Sequence, residues 1–587
     1  MLRLQGIAVS SGIAIGEAMV LGRETFDVPD RLIEGTAVDR EIERFRGALA
    51  AAVEELSRQR DAVIRELGRR SGSIFNAHLE ILQDTKLRED MESLIRERHY
   101  APERAVSRVL RRYADVFRRL PNPNFAERVN DVYDIEKLLL RSLLGQPHSE
   151  VFQLHSPVVV LAANLTPSET ARLDRNLVRG FVTETGGPGG HTAIVAQGLG
   201  IPAVVGTGPF LGEVSGGDTV IVDGDRGLVI VNPDGVTLHE YREQYRAIES
   251  LQAELRDIRG LPAETLDGTR IHLFGNIEFP QEAETCLEQG AEGIGLYRTE
   301  FLYLGRSTLP SEEEHYQAYL QVIQTMGDRP VTIRTFDLGA DKIPHDWLPR
   351  QMGWDSESNP CLGLRSIRLA LRHLPMFRSQ LRAILRASAV GRVEIMFPLI
   401  ATLAELRQAK FVVADVMEEL AEAGIPFRRE IPIGMMVEVP STAIMLERYL
   451  PEVDFISIGT NDLIQYTLAV DRTNRNVVSL YSSADPALIR LLSQTIRTAQ
   501  ERGVPVGLCG QMSSSPIYTM LLIGLGLRNF SVTAGVIPEV KKVCRSVTVA
   551  QCREVVNHVM EMENARDIRA YLREELVKIL PEFSRLP

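Results

Sequence analysis

Two groups of residues in this 587-residue chain have types and spacings that could do chemistry. The first is a set of polar side chains that close apolar runs. Asn276 follows IHLFG, Arg298 and Glu300 follow GIGLY, and Arg334 and Asp337 lie in VTIRTFD. Glu438 ends IGMMVE, Asn461 and Asp462 follow DFISIGT, and Cys509 ends PVGLC. For any one of these a loop salt bridge is the plain reading; their recurrence argues for a converged pocket. Arg298, Arg334 and Arg472, with Arg365 and Lys342, supply fixed positive charge. Guanidinium suits bidentate capture of phosphate and carboxylate. Glu438 and Asp462 are hard oxygen donors, and two carboxylates plus a substrate phosphate is how Mg²⁺ is usually held. Several cations, one Mg²⁺ and one thiol fit a small phosphorylated carboxylic acid.

The second group is GGPGGHTAIVAQGLGIPAVVG, residues 186–206. Four glycines precede His191, and TAIVAQGL after it reads as a short helix. That spacing predicts His191 at a helix N-terminus, where free amides favour a bound phosphate. The helix dipole there also favours neutral imidazole, the nucleophilic form. The plain alternative is a histidine that caps a turn.

Elements must hold these side chains in place. From Thr269 onward eight strand-like runs alternate with helical ones: IHLFGN, EGIGLYR, VTIRTFD, VEIMFPL, IGMMVEV, DFISIGT, PVGLCGQ and RNFSVTA. Eight β/α repeats predict a (β/α)8 TIM-type barrel, with an open doubly wound sheet as the alternative, and in a barrel the active site lies where the strands end. Residues 4–21 predict one or two short strands around a Ser-Gly turn. Up to Leu144 the chain then has little glycine and apolar residues at helical spacing, which predicts a helical bundle. From Pro157, VVVLAA, GFVTET, PAVVGTG and DTVIVDGDRGLVIV are short β-rich runs. The expected organisation is multidomain α/β: residues 1–22 and 145–235 form an α/β domain that contains His191, into which 23–144 inserts as a helical domain. Residues 236–261 form a linker helix, and 262–587 form the barrel.

Composition narrows the function. Net charge is −12, which disfavours nucleic acid or an anionic membrane as the main partner. No apolar run approaches the roughly 18 residues of a membrane span, so no membrane insertion is expected, and residues 1–22 make a poor signal peptide. Five scattered cysteines without a CxxC pair argue for a reducing, cytoplasmic setting and against zinc or a disulfide framework.

The motifs also match a known family. GLYRTEFLYL, TLPSEEEHYQAY, RTFDLGADK, NPCLGLRSIR, LRAILRASA, MFPLI, VEVPSTA and DFISIGTNDLIQYTLAVDR in the C-terminal part, with NLTPSETA, FNAHLEILQD and SGIAIGEA in the N-terminal part, resemble enzyme I of the bacterial phosphoenolpyruvate (PEP)-dependent sugar phosphotransferase system. The resemblance covers essentially the whole chain. It implies that Arg298, Arg334, Asn461, Asp462 and Arg472 bind PEP and that Glu438 and Asp462 hold Mg²⁺. It also implies that Cys509 protonates the leaving enolate and that His191 carries the phosphoryl group on Nε2. The helical insertion would dock the phosphocarrier protein HPr, pyruvate would be released, and the barrel would form a homodimer. A nitrogen-type regulatory paralogue is the alternative; pyruvate phosphate dikinase, which shares the His and barrel domains, would need a nucleotide-binding domain before His191. Four departures from the family pattern stand out: Pro188-Gly189-Gly190 lacks the Thr or Ser usual before the histidine, Gln197 and Tyr133 stand where arginine is usual, and Asn164 replaces an Asp.

Overall fold

The structure is a computed structural model. It describes residues 1–21, 31–67, 78–118, 123–144, 157–165, 177–187, 193, 196, 200–303, 308–339, 359–474 and 476–585. The chain forms two compact units, Met1–Ile248 and Glu249–Leu586.

In the first unit, eight strands make one mixed sheet: β1 (Leu2–Gln5), β2 (Ile7–Ser10), β3 (Ile13–Leu21), β4 (Val158–Ala162), β5 (Val178–Thr183), β6 (Ala203–Val205), β7 (Thr219–Asp223) and β8 (Leu228–Val231). Their order is β1-β8-β7-β3-β4-β5-β6-β2, with β3 to β6 parallel. Neighbouring residues of β4 belong to different cores: Val160 and Ala162 pack with Phe181, and Val159 and Leu161 with Val182. Both faces of the sheet are therefore covered, which explains why these strands read as continuous apolar runs. The opening residues form three strands rather than the expected one or two. The extra break falls at Gly6, where a Cβ would lie 2.7 Å from both Val204 Cγ1 and the Val205 carbonyl.

The described residues between β3 and β4 include four long helices: α1 (Val38–Leu67), α2 (Thr85–Arg98), α3 (Pro102–Arg118) and α4 (Pro123–Leu144). Asp84 caps α2 by accepting the Leu87 amide. These helices bury their own core around Phe45, Met91, Ile95, Val106 and Leu139. A further helix, Gly235–Asp257, follows β8.

The second unit is the barrel. Its strands are β10 (Arg270–Ile277), β11 (Ile294–Tyr297), β12 (Val331–Arg334), β13 (Val393–Phe397), β14 (Ile433–Val437), β15 (Phe455–Ile458), β16 (Val506–Leu508) and β17 (Asn529–Thr533). Each pairs in parallel with the next, and β10 pairs with both β11 and β17, so the sheet closes. That closure decides for the barrel and against the open sheet. A two-residue strand, β9 (Ala263–Glu264), runs antiparallel to β10. Met396 and Met436 cluster with Leu296 and Cys509, whereas Ile395, Phe397, Met435 and Val437 beside them join the core shared with the outer helices. The two-residue alternation of a strand thus separates a lumen face from a helix face.

The bundle and barrel cores share no residue. Phe45→Ala should therefore cost the bundle about 3–5 kcal/mol and lower its unfolding midpoint, while the barrel's midpoint stays put. Spectroscopic probes placed separately in each unit would check this, and equal shifts in both would mean that the two melt together.

Candidate active site

The polar residues identified at the ends of apolar runs converge at the C-terminal ends of the barrel strands. Arg334, the last residue of β12, is 8% exposed. Its Nη2 donates to Glu300 Oε1 at 3.0 Å, and its Nη1 lies 3.3 Å from Asp337 Oδ2. Arg365 reaches the same Asp337: Nη2 donates at 2.9 Å to both carboxylate oxygens, and Nε at 3.3 Å to Oδ1. Arg365 Nη2 also donates to Asp462 Oδ2 at 3.4 Å, which ties the loop after β12 to the helix after β15. Burial pulls the Arg334 pKa down, but Glu300, Asp337 and Glu438 more than offset it and the net shift is upward. The guanidinium stays charged inside the protein.

Glu438 follows β14 and is buried. Burial and the nearby Asp462 and Asp337 carboxylates hold its carboxyl well above the usual range, against Arg334 and the Leu399 amide. That amide donates to Glu438 Oε1 at 2.6 Å, from a residue at φ +52°. Left-handed backbone at a leucine costs about 1–3 kcal/mol and collects at functional sites. Gly459 leaves room for the same carboxylate, since a Cβ there would lie 2.7 Å from Glu438 Oε2. Asp462 lies in the first turn of the helix Thr460–Leu468; its Oδ1 is buried, accepts no hydrogen bond and sits 3.9 Å from Arg472 Nη2. Ala469, also left-handed at φ +54°, ends that helix and turns the chain toward Arg472.

Asn461 accepts the Gln511 amide at 3.0 Å and so fixes the loop after Cys509. Asn276 donates to the carbonyls of Cys509 and Ser531 at 3.1 and 3.2 Å. The Cys509 thiol is buried, 3.7 Å from the Ile458 carbonyl. Burial pushes it above the ordinary thiol value, only partly opposed by Ser457, Arg334 and Arg298. Arg298 pairs with Glu278 at 2.8 Å and stays partly exposed. Buried polar atoms without a hydrogen bond gather here: Arg334 Nε, Thr335 Oγ1, Ser366 Oγ, Thr460 Oγ1 and Asp462 Oδ1. Buried groups in that state mark where a ligand or water completes the set.

The structure thus brings together Arg334, Arg365, Glu438, Asp462, Arg472 and Cys509, with Arg298 and Asn461 at the margin. His191 and Lys342, and the departures at 188–190 and 197, lie outside the described residues. Tyr466 was missed. Its hydroxyl accepts from Arg365 Nη1 at 3.3 Å and donates to the Cys361 carbonyl, so it fastens the loop that carries Arg365. The signal was its helical i,i+4 spacing from Asp462.

Three models of PEP-utilising enzymes match: the N-terminal region over residues 5–128, the mobile domain over 154–227 and the PEP-binding domain over 252–549. With the closed barrel and its arginine–carboxylate rim, they define the class of protein as a PEP-utilising enzyme. Similar proteins named phosphoenolpyruvate-protein phosphotransferase occur in Bacillus sp. (strain S) and Geobacillus stearothermophilus, each 41% identical over 97% of both chains. Another, from Bacillus subtilis (strain 168), is 39% identical over 98% of this chain and 100% of its own. The chain belongs to the phosphoenolpyruvate-protein phosphotransferase family.

Of the five cysteines, four are buried and Cys361 is half-exposed. Because burial keeps the Cys509 thiol protonated beyond the ordinary thiol range and only the thiolate reacts, iodoacetamide at neutral pH should label Cys361 first. The Cys509 rate should still be rising where an ordinary thiol has levelled off. Peptide mapping by mass spectrometry reads both, and a Cys509 as fast as Cys361 at neutral pH would contradict the shift.

Proposed function

We propose that the chain takes the phosphoryl group of PEP onto His191 and passes it to the histidine of an HPr-type phosphocarrier, releasing pyruvate, as the first step of a sugar phosphotransferase system. The observation that carries this reading is the barrel rim, where buried arginines face a close pair of carboxylates, in a chain alike over its length to proteins named for PEP-protein phosphotransfer.

In this reading Arg298, Arg334, Arg365 and Arg472, with Asn461, Asp462 and Lys342, bind the phosphate and carboxylate of PEP. Glu438 and Asp462 fit a hard divalent cation: Asp462 Oδ1 accepts no hydrogen bond, and the two carboxylates repel each other. Among the described residues no cluster of three or more His, Cys, Asp or Glu side chains could hold a metal unaided, so a Mg²⁺ held here would also use substrate oxygens. Bound Mg²⁺ would neutralise charge that spreads over the phosphoryl oxygens. His191 Nε2 attacks phosphorus in line; the P–O bond to the enol oxygen breaks as the N–P bond forms. The enolate carbon then takes the Cys509 proton and becomes pyruvate. A thiol held protonated by burial suits that role. The second transfer moves the phosphoryl group from His191 to the carrier.

The proposed division of labour assigns His191 chemistry to residues 1–22 and 145–235, carrier docking to 23–144, and PEP binding and homodimer formation to 262–587, with 236–261 as linker. Among the described residues no helix is long and apolar enough to cross a membrane, and we place the reaction in the cytoplasm.

The test is incubation with labelled PEP, Mg²⁺ and HPr, without ATP. Label should appear on the chain and then on the carrier. His191→Ala should lose all acid-labile, base-stable label, and Glu438→Ala should abolish transfer from PEP. No label on the wild type would end the reading, and full activity in excess EDTA would end the cation assignment.

Cys509→Ala should lower kcat by about a hundredfold or more, the usual worth of a general acid, while PEP affinity changes about threefold at most. Equal losses in binding and turnover would make Cys509 a packing residue.

A further inference from the structure

We infer that Gln380 is a positioning residue for the PEP-binding arginines; this rests on the role proposed above for Arg298 and Arg334. Gln380 lies on the helix Leu374–Ser388, which covers the barrel wall, and its side chain is wholly buried.

The physical reason is what happens where a strand ladder stops. The last pairing between β11 and β12 joins Tyr297 to Ile333. The residues beyond it, 298–300 and 334–337, carry the site side chains, and their buried peptide groups need other partners. Thr299 Oγ1 donates to the Arg334 carbonyl at 3.0 Å. Gln380 Nε2 donates to Thr299 Oγ1 at 2.9 Å, and Gln380 Oε1 accepts the Phe336 amide at 3.0 Å. The side-chain amide thus behaves as an inserted peptide group and splices the two strand ends together. Its orientation is forced: the Phe336 N–H can only donate, so Oε1 faces it and Nε2 faces the hydroxyl. The remaining Nε2 proton goes to Tyr319 Oη at 3.1 Å, which lies 3.0 Å from His315 Nδ1. Thr299, Gln380, Tyr319 and His315 are all fully or almost fully buried, so these bonds form away from water, where they are strongest. Thr299 follows Arg298 directly, and Phe336 sits between Arg334 and Asp337. A shift of this splice moves the guanidiniums and their counter-ion together.

A purely structural Gln380 would only hold the helix on the barrel. The full-length protein distinguishes the two through KM for PEP, kcat and melting temperature, with kinetics measured well below each melting point. Gln380→Leu should raise KM about tenfold and Thr299→Val about threefold to tenfold, the scale of one lost hydrogen bond, with kcat held within about threefold. Thr299→Ser, which keeps the hydroxyl, should restore the wild-type KM. The double variant should be no more than about twofold worse than Gln380→Leu, because one chain of bonds is broken once. If Gln380→Leu does not fold, the Thr299 pair carries the test. A lower melting temperature with unchanged KM, or additive effects, would overturn the proposal. Arg334→Lys separates the failures. If it leaves KM unchanged, the arginine reading falls and this proposal with it. If it raises KM while the Thr299 and Gln380 variants do not, only the positioning role falls.

Discussion

The rim of this barrel depends on one carboxylate, Asp337, shared by two buried guanidiniums. Arg365 grips both of its oxygens at 2.9 Å, and Arg334 approaches it at 3.3 Å. Desolvating an arginine costs several kcal/mol unless charge and hydrogen bonds offset it. Asp337 and Glu300 supply that offset, so Arg334 stays charged at 8% exposure. Removing either acid would leave the buried cation with only part of that compensation.

Beside this pair stands a repulsive one. Glu438 is buried close enough to Asp462 that this neighbouring carboxylate, with burial, holds Glu438 above the usual carboxyl range. The backbone accepts strain to hold them, with Leu399 left-handed so that its amide meets Glu438 and Gly459 without a side chain to crowd it. Attractive arginine–acid pairs next to a repulsive acid pair make a rim complementary to a particular charge distribution. It suits a cation against the two acids and anionic oxygens against the guanidiniums.

The relatives match along nearly the whole chain, so the order of segments along the sequence is shared and not only the barrel. Phosphoryl transfer has little covalent chemistry for the protein to perform beyond positioning and charge stabilisation. That is consistent with a rim in which polar side chains fix the loops and side chains around them: Asn461 and Asn276 bond to backbone groups and Tyr466 to Arg365.

Much was legible before any fold was known. Barrel strands are short, apolar and bounded by polar residues, because a strand in a closed parallel sheet is covered on both faces and ends at the solvent-facing rim. IGMMVE and DFISIGTND therefore displayed both the strands and the acids Glu438 and Asp462 at their ends. The helical period of the bundle was equally plain, because one-sided burial repeats every three to four residues. The partners were not legible. Arg365 meets Asp337 28 positions away and Asp462 97 positions away, and Gln380 reaches Thr299 81 positions back. Such pairs exist because neighbouring parallel strands and the helices between them carry the strand ends to one rim. Periodicity records which face of an element is buried; it holds no information on which distant side chain waits there. Residue types and the ends that carry them belonged to the sequence, while the choice of counter-ion, the strain at Leu399 and the splice through Gln380 were decided by tertiary packing at the strand ends.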